Sequence, residues 1–334
     1  MNRTDIFFAL LRAGLWEQDL RLEGGAPSAD DWQAILQTAR EQAVLGLVYR
    51  GMKHLPADQL PPSALRLRLL ADADRIERRG SEVAQVREAL FARLTAAGLH
   101  PLEQKGAEAG KYYALPQWRG SGDIDVFLPE GEFARALSLW PEGRTAPDGS
   151  RVFKLDGVTV ELHRRYFDLH RHPDSLPEPP SVCAELLMLS AHILKHAIGE
   201  GVGCKQLCDM TRALDRTEGL YDKAELREWL RRTGLHRWHR LLCSLLVSDF
   251  GLDPARCLEG FTPVDAEPLR RIVLSGGAFG LAGSARRKAV RQGGAARKLQ
   301  AAGAFLRRLP FSLRIAPRET LATIWELVRG NLNK

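Results

Sequence analysis

The sequence predicts an α+β protein, a small mixed β-sheet flanked by N-terminal and C-terminal helical regions. Three observations carry that prediction. Up to about residue 97 the apolar positions recur every ~3.6 residues, as on a helix face. From about 98 to 167 they alternate with a period of two, as in strands. A proline-rich connector, PDSLPEPPS, then returns the chain to the helical repeat.

The elements follow in order. Phe7, Leu10, Leu11 and Leu15 share one face of a first helix. DDWQAILQTAREQAVLGLVYRGMKHL follows Ser28, a natural N-cap, and carries Trp32, Ile35, Leu36, Ala39 and Val44 as a stripe. A third helix starts at the proline pair 61–62 and runs to Ala97. HPLEQKGAEAGKYYAL reads as a short strand or loop leading into a helix. DIDVFLP is a strand stopped by Pro129, and EGEFARALSLW is a helix. RVFKLDGVTVELHRRY alternates on both sides of Asp156-Gly157, a hairpin signal. Beyond the connector, CAELLMLSAHILKHAI, CKQLCDMTRALDR and KAELREWLRRTGLHRWHRLLCSLLVSDF are amphipathic. GGAFGLAGSARRKAVRQGGAARK reads as a loop or weak helix, and the chain ends in a helix around LATIWELV. The expected division is 1–97 helical, 98–175 the α/β core, 176–285 helical and 286–334 a basic helical tail. No internal repeat is present.

Composition bounds the function. Of 334 residues, 45% are hydrophobic and 27% charged, which is ordinary for a globular protein. The net charge of +7 is unevenly spread. Residues 286–334 hold 12 Lys and Arg against 2 Asp and Glu, which leaves 36 against 39 in the rest. Such a tail suits nucleic acid, an anionic membrane surface or an acidic protein partner; it also suits a plain solvated face. Nothing resembles a dedicated nucleic-acid-reading module. Five cysteines at irregular spacing do not form a disulfide framework, which points to a reducing, cytoplasmic setting. The N-terminus lacks a cleavable signal pattern, and no run of ~18 apolar residues predicts a membrane span.

The chemistry concentrates in RGSGDIDVFL. Residues i and i+2 of a strand point the same way, so Asp123 and Asp125 share one face while Ile124 and Val126 share the other. Two such carboxylates repel, and both stay ionised only beside a cation. Mg²⁺, or Mn²⁺ in its place, suits this set because it takes a few carboxylates together with substrate phosphates. The glycines flanking Ser121 permit a tight turn before the strand. In VTVELH, alternation puts Glu161 and His163 on one face. If that strand neighbours the aspartate strand, Glu161 completes a three-carboxylate cluster able to hold ions that activate a hydroxyl and stabilise departing pyrophosphate.

These residues resemble the nucleotidyltransferase superfamily that includes DNA polymerase β and the aminoglycoside nucleotidyltransferases. More closely, they are similar to a family of uncharacterised bacterial nucleotidyltransferase-like proteins. The motifs are Lys105-Gly106, Arg119, Asp123-Ile124-Asp125 and Val160-Glu161-Leu162-His163, and the similarity extends to the HILKH…KQLCDMTRAL segment. The resemblance implies a nucleotidyltransferase core taking a nucleoside triphosphate, ATP among the candidates. It implies metal ligation by Asp123, Asp125 and Glu161, with Glu161 alternatively the base for the acceptor hydroxyl. Better-known members place a Gly-Ser about ten residues before the aspartates. Gly120-Ser121 stands too close for that part, and Lys105-Gly106 is the substitute facing the triphosphate. Arg119 would contact phosphate or brace the carboxylates, and Ser121 would contact nucleotide. His163 would orient Glu161 or touch substrate. Lys195, Lys205 and Asp209 would line the nucleotide cleft.

The acceptor is open: a small molecule, a sugar, a protein or an RNA end. Two other classes share this fold, a non-catalytic nucleotide sensor or scaffold and a toxin-like enzyme modifying protein or tRNA. His192, His196, Cys204 and Cys208 have spacings from which zinc ligation can be drawn, but helix packing suits each better.

Overall fold

A computed structural model of the chain describes residues 1–106, 108–120, 122–146, 148–169, 176–199, 201–277 and 294–332. The described helices are α1 (Arg3–Trp16), α2 (Ala29–Glu41), α3 (Leu45–Met52), α4 (Ser63–Ala96), α5 (Glu130–Leu137) and α6 (Val182–Ile198). They continue with α7 (Cys204–Arg216), α8 (Lys223–Thr233), α9 (His236–Phe250), α10 (Glu267–Gly276), α11 (Gly294–Ile315) and α12 (Pro317–Leu332). The strands are β1 (Leu102–Gln104), β2 (Asp123–Phe127), β3 (Arg144–Thr145), β4 (Arg151–Leu155) and β5 (Val158–His163). The α+β prediction therefore holds.

The strands form one five-stranded sheet in the order β1-β2-β5-β4-β3. β2 and β5 run parallel, and the other pairs are antiparallel. The β4–β5 hairpin closes through two residues, Leu155 pairing with Val158. Asp156 (φ 47°) and Gly157 (φ 77°) both take the left-handed conformation that such a turn requires. One sheet face presents Ile124, Val126, Val158, Val160 and Leu162, each 0% exposed, to Val83, Val86, Leu90 and Leu94 of α4 and Phe133 and Ala136 of α5. Each such side chain contributes about 1.5–3 kcal/mol by leaving water. That apolar face fixes which side chains must point the other way.

Two long helical readings divide. The segment after Ser28, whose hydroxyl accepts from the Asp31 amide at 3.1 Å, breaks between α2 and α3. Ala43 turns left-handed there (φ 57°). Buried Gln42 donates to the Val273 carbonyl at 3.0 Å and accepts from the Cys204 amide at 3.0 Å. The KAEL…SDF segment breaks at Gly234 (φ 79°), which caps α8 before α9 begins. The glycine-rich basic stretch falls largely outside the described residues; its C-terminal end joins α11.

The chain packs as two compact units. The first comprises Met1, Ala9–Trp32 and Gly46–Tyr166 and holds the sheet with α3, α4 and α5. The second comprises Asn2–Phe8, Gln33–Leu45 and Phe167–Lys334. Ser181 caps α6 by accepting from the Ala184 amide at 3.2 Å. Trp238 of α9 is fully buried and donates to the Ser190 carbonyl at 2.9 Å. Asp249 of α9 accepts two bonds from Arg270 of α10 at 2.7 and 2.9 Å. Among the described residues, no helix is long and apolar enough to cross a membrane, and all five cysteines are free and buried.

Candidate functional site

The parallel β2–β5 ladder sets the site. It pairs Asp123 with Thr159, Asp125 with Glu161 and Phe127 with His163. Because Ile124, Val126, Val160 and Leu162 are claimed by the core, Asp123, Asp125, Glu161 and His163 project from the opposite face. His163 Nε2 lies 2.7 Å from Asp125 Oδ1 and 3.8 Å from Glu161 Oε2. One ligand atom from each of Asp125, Glu161 and His163 falls within 4.8 Å of the others, a grouping able to hold a metal ion. Asp125 and His163 are each 8% exposed, and Glu161 is half-buried.

β1 brings a cation to this group. Gln104 pairs with Asp125 across the ladder and donates to the carbonyls of Arg165 and Tyr166 at 3.2 and 2.8 Å. The chain then turns at Lys105, which is left-handed (φ 48°) and buried, with Nζ 3.8 Å from Asp125 Oδ1. Gly106 follows so closely that a Cβ there would stand 3.5 Å from both Asp125 Oδ2 and the Asp123 carbonyl. The Lys-Gly segment thus abuts the aspartates.

Burial pushes the Glu161 carboxyl above its ordinary range, and the Asp125 charge pushes it further. His163 opposes the shift, Asp123 adds to it and Lys105 opposes it. A bound cation would remove the strain that burial and like charge place on Glu161.

The remaining candidates are placed as follows. Asp123 is partly exposed on the same face but outside the three-residue group. Arg119 is 2% exposed at the end of a 3₁₀ turn, just before Gly120 (φ 73°). Ser121 lies outside the described residues. Lys195, Lys205 and Asp209 belong to the second unit. Lys195 Nζ donates to Asp168 at 2.9 Å, beside His192 Nδ1 at 2.7 Å from the same carboxylate. Lys205 sits in the first turn of α7, and Asp209 is buried on that helix. His163 is more central than its sequence reading allowed. The signal was present in the i, i+2 alternation with Glu161, but the reach to Asp125 depended on the β2–β5 register.

A mixed sheet thus presents an Asp-x-Asp strand beside a parallel glutamate strand, with a lysine adjacent. Residues 28–251 match a family described as an uncharacterised nucleotidyltransferase, and the chain belongs to that family. The match runs from the N-cap of α2 to the end of α9 and takes in both the sheet and α6–α9. No curated protein and no solved structure matches the chain.

Proposed function

We propose that the protein is a metal-dependent nucleotidyltransferase that moves a nucleoside monophosphate from an NTP onto a hydroxyl or phosphate oxygen of an acceptor. The observation carrying this reading is the convergence of Asp125, Glu161 and His163 within 4.8 Å on the face shared by Asp123. In the reaction, the acceptor oxygen bonds to the α-phosphorus as the bond from that phosphorus to the oxygen bridging to the β-phosphate breaks. Pyrophosphate leaves, and the acceptor proton passes to Glu161 or to water. Asp123, Asp125 and Glu161 would hold Mg²⁺ or a like ion, which supplies charge neutralisation to the phosphates. Lys105 and the Gly106 backbone would face the triphosphate. Arg119 would brace the carboxylates from its buried position or contact phosphate, and Ser121 would contact nucleotide. Lys195, Lys205 and Asp209 are proposed as nucleotide contacts on the strength of the family resemblance alone.

The test uses full-length protein with α-³²P-labelled NTPs, divalent ion and cell extract. The expected result is label transfer with pyrophosphate release, reduced by about 100-fold or more in Asp125→Asn and Glu161→Gln, which corresponds to ~3 kcal/mol of barrier. Nucleotide binding without pyrophosphate release would replace the enzyme with a sensor. No nucleotide binding at all would remove both.

A further inference from the structure

An oxygen-only site suits Mg²⁺, but the donor set that converges here contains a nitrogen. His163 Nε2 stands 2.7 Å from Asp125 Oδ1 and 3.8 Å from Glu161 Oε2. An octahedral ion with bonds near 2.1 Å holds neighbouring donors about 3 Å apart and opposite donors about 4 Å apart. The His163–Asp125 and His163–Glu161 separations therefore come close to that spacing before any ion arrives, and all three donors fall within 4.8 Å of one another. Asp123, the oxygen donor that would make the set all-carboxylate, is not in the group.

We infer that the cation site of this chain is a mixed nitrogen–oxygen site, with His163 Nε2 as a ligand beside Asp125 and Glu161, and that it selects divalent transition ions over Mg²⁺. Imidazole suits Zn²⁺, Cu²⁺, Fe²⁺ and Ni²⁺, and Mn²⁺ accepts it more readily than Mg²⁺, which dehydrates reluctantly and prefers oxygen. Lys105 Nζ, 3.8 Å from Asp125 Oδ1, offsets part of the carboxylate charge for every divalent ion alike, so donor type decides between them. Both Asp125 and His163 are buried on strands, so the donors are positioned by the sheet rather than by a loop. The rival arrangement keeps His163 as a brace on Asp125 and leaves the ion to carboxylates. The inference rests on the metal-dependent reading above, and its test is chosen to separate the two.

The probe is Mn²⁺ on the full-length protein. Its binding is followed by electron paramagnetic resonance with Mg²⁺ as competitor, and nitrogen ligation is read by electron spin echo envelope modulation. The expected result is Mn²⁺ affinity about 10-fold or more above that for Mg²⁺, with ¹⁴N modulation from a directly bound imidazole. His163→Gln is expected to abolish the modulation and weaken Mn²⁺ by about 10-fold or more, and Asp125→Asn to weaken Mn²⁺ similarly. Should His163→Gln fail to fold, ¹⁵N-histidine labelling of the unaltered protein replaces it, because true ligation converts the ¹⁴N pattern to a ¹⁵N one. Mn²⁺ bound without nitrogen modulation overturns the inference and leaves nucleotidyl transfer standing on carboxylates. Equal affinity for Mg²⁺ also overturns it. No divalent binding with or without ATP removes both readings.

Discussion

Two buried carboxyl clusters sit on opposite faces of adjoining positions in the same sheet. Gln104 pairs with Asp125 on the face of the candidate site, and its neighbour Glu103 pairs with Val126 on the α4 face. There Arg87 of α4 donates from Nε to Glu103 at 2.6 Å, and the Glu103 side chain is only 3% exposed. Burial pushes the Glu103 carboxyl up to about 7 despite Arg87, and nearby Glu108 adds to the rise. A cavity of about 410 Å³ opens beside them, lined by Arg87, Glu103, Glu108 and Lys111, with Glu108 paired to Lys111. This cluster has an arginine and a lysine for its two acids. Across the sheet, Lys105 and His163 stand beside Asp125, and His163 also approaches Glu161. A guanidinium held by a helix is a permanent partner. A lysine at 3.8 Å and a histidine that can itself ligate leave room for an arriving cation. Both carboxyl groups cost the fold something: Glu103 is raised by burial even beside its guanidinium, and Glu161 is raised by burial and by the Asp125 charge.

The sharpest way to break the comparison is to move one charge by one residue. Val160 is fully buried against α4, and Glu161 faces the site. Val160→Glu would put an unpartnered carboxylate in the core. Its cost of several kcal/mol is comparable to the whole stability of a domain. The expected outcome is insoluble or unfolded protein, read by circular dichroism. Glu161→Gln should fold with an unchanged or higher melting temperature at pH 7.5, because its ionised form is disfavoured where it stands. A normal melt for Val160→Glu, or a loss of many degrees for Glu161→Gln, would mean that the two faces are not distinguished in this way.

That contrast is legible in the sequence alone. Alternation alone separates Ile124 and Val126 from Asp123 and Asp125, and Asp156-Gly157 announces the hairpin. Ser28, Pro129 and the prolines before α4 mark element ends, because caps and proline act within a few residues. What the sequence hid is long-range. The partner of β2 could have been any strand; that Glu161 faces Asp125, and that His163 reaches it, follows from a parallel register that pairs residues 36 positions apart. The break at Ala43 answers to Gln42 bonding Cys204 and Val273, more than 150 residues away. Glu103 carries no signal in the sequence, because HPLEQK reads as a short strand or loop, and the burial of its side chain beside Arg87 emerges only in the fold.

The Arg87–Glu103 side of the comparison predicts a smaller, pH-shaped effect. The Glu103 pKa is raised above its ordinary value of 4.5 to about 7. The folded state therefore holds a proton that the unfolded state has released across that window. Its contribution is fully present below pH ~4.5 and is lost as pH rises toward 7, up to on the order of 3 kcal/mol. Glu103→Gln keeps an oxygen for Arg87 and removes the titration. Denaturant melts at pH 5 and 7.5 should show the variant losing less stability over that interval than the unaltered protein. Equal losses would assign the pH dependence elsewhere.

The smallest expected effect tests the hairpin that carries Glu161 into place. Gly157 has φ 77°, and nothing lies within 4 Å of the position a Cβ would take. Gly157→Ala therefore meets no clash, and its cost is conformational alone, about 1 kcal/mol. In a unit of this size that is a fall of roughly 2–4 °C in melting temperature. Asp156, at φ 47°, already bears the same conformation with a side chain. Replacing it by glycine should recover part of the loss in the double variant, since aspartate tolerates the left-handed region less well than glycine does. The Mn²⁺ affinity of Gly157→Ala should stay within about 2-fold of the unaltered protein, because Val160 and Leu162 pin β5 to the core independently of the turn. A large loss of metal affinity from this one methyl would mean that the turn, rather than the buried face, sets the register placing Glu161 beside Asp125.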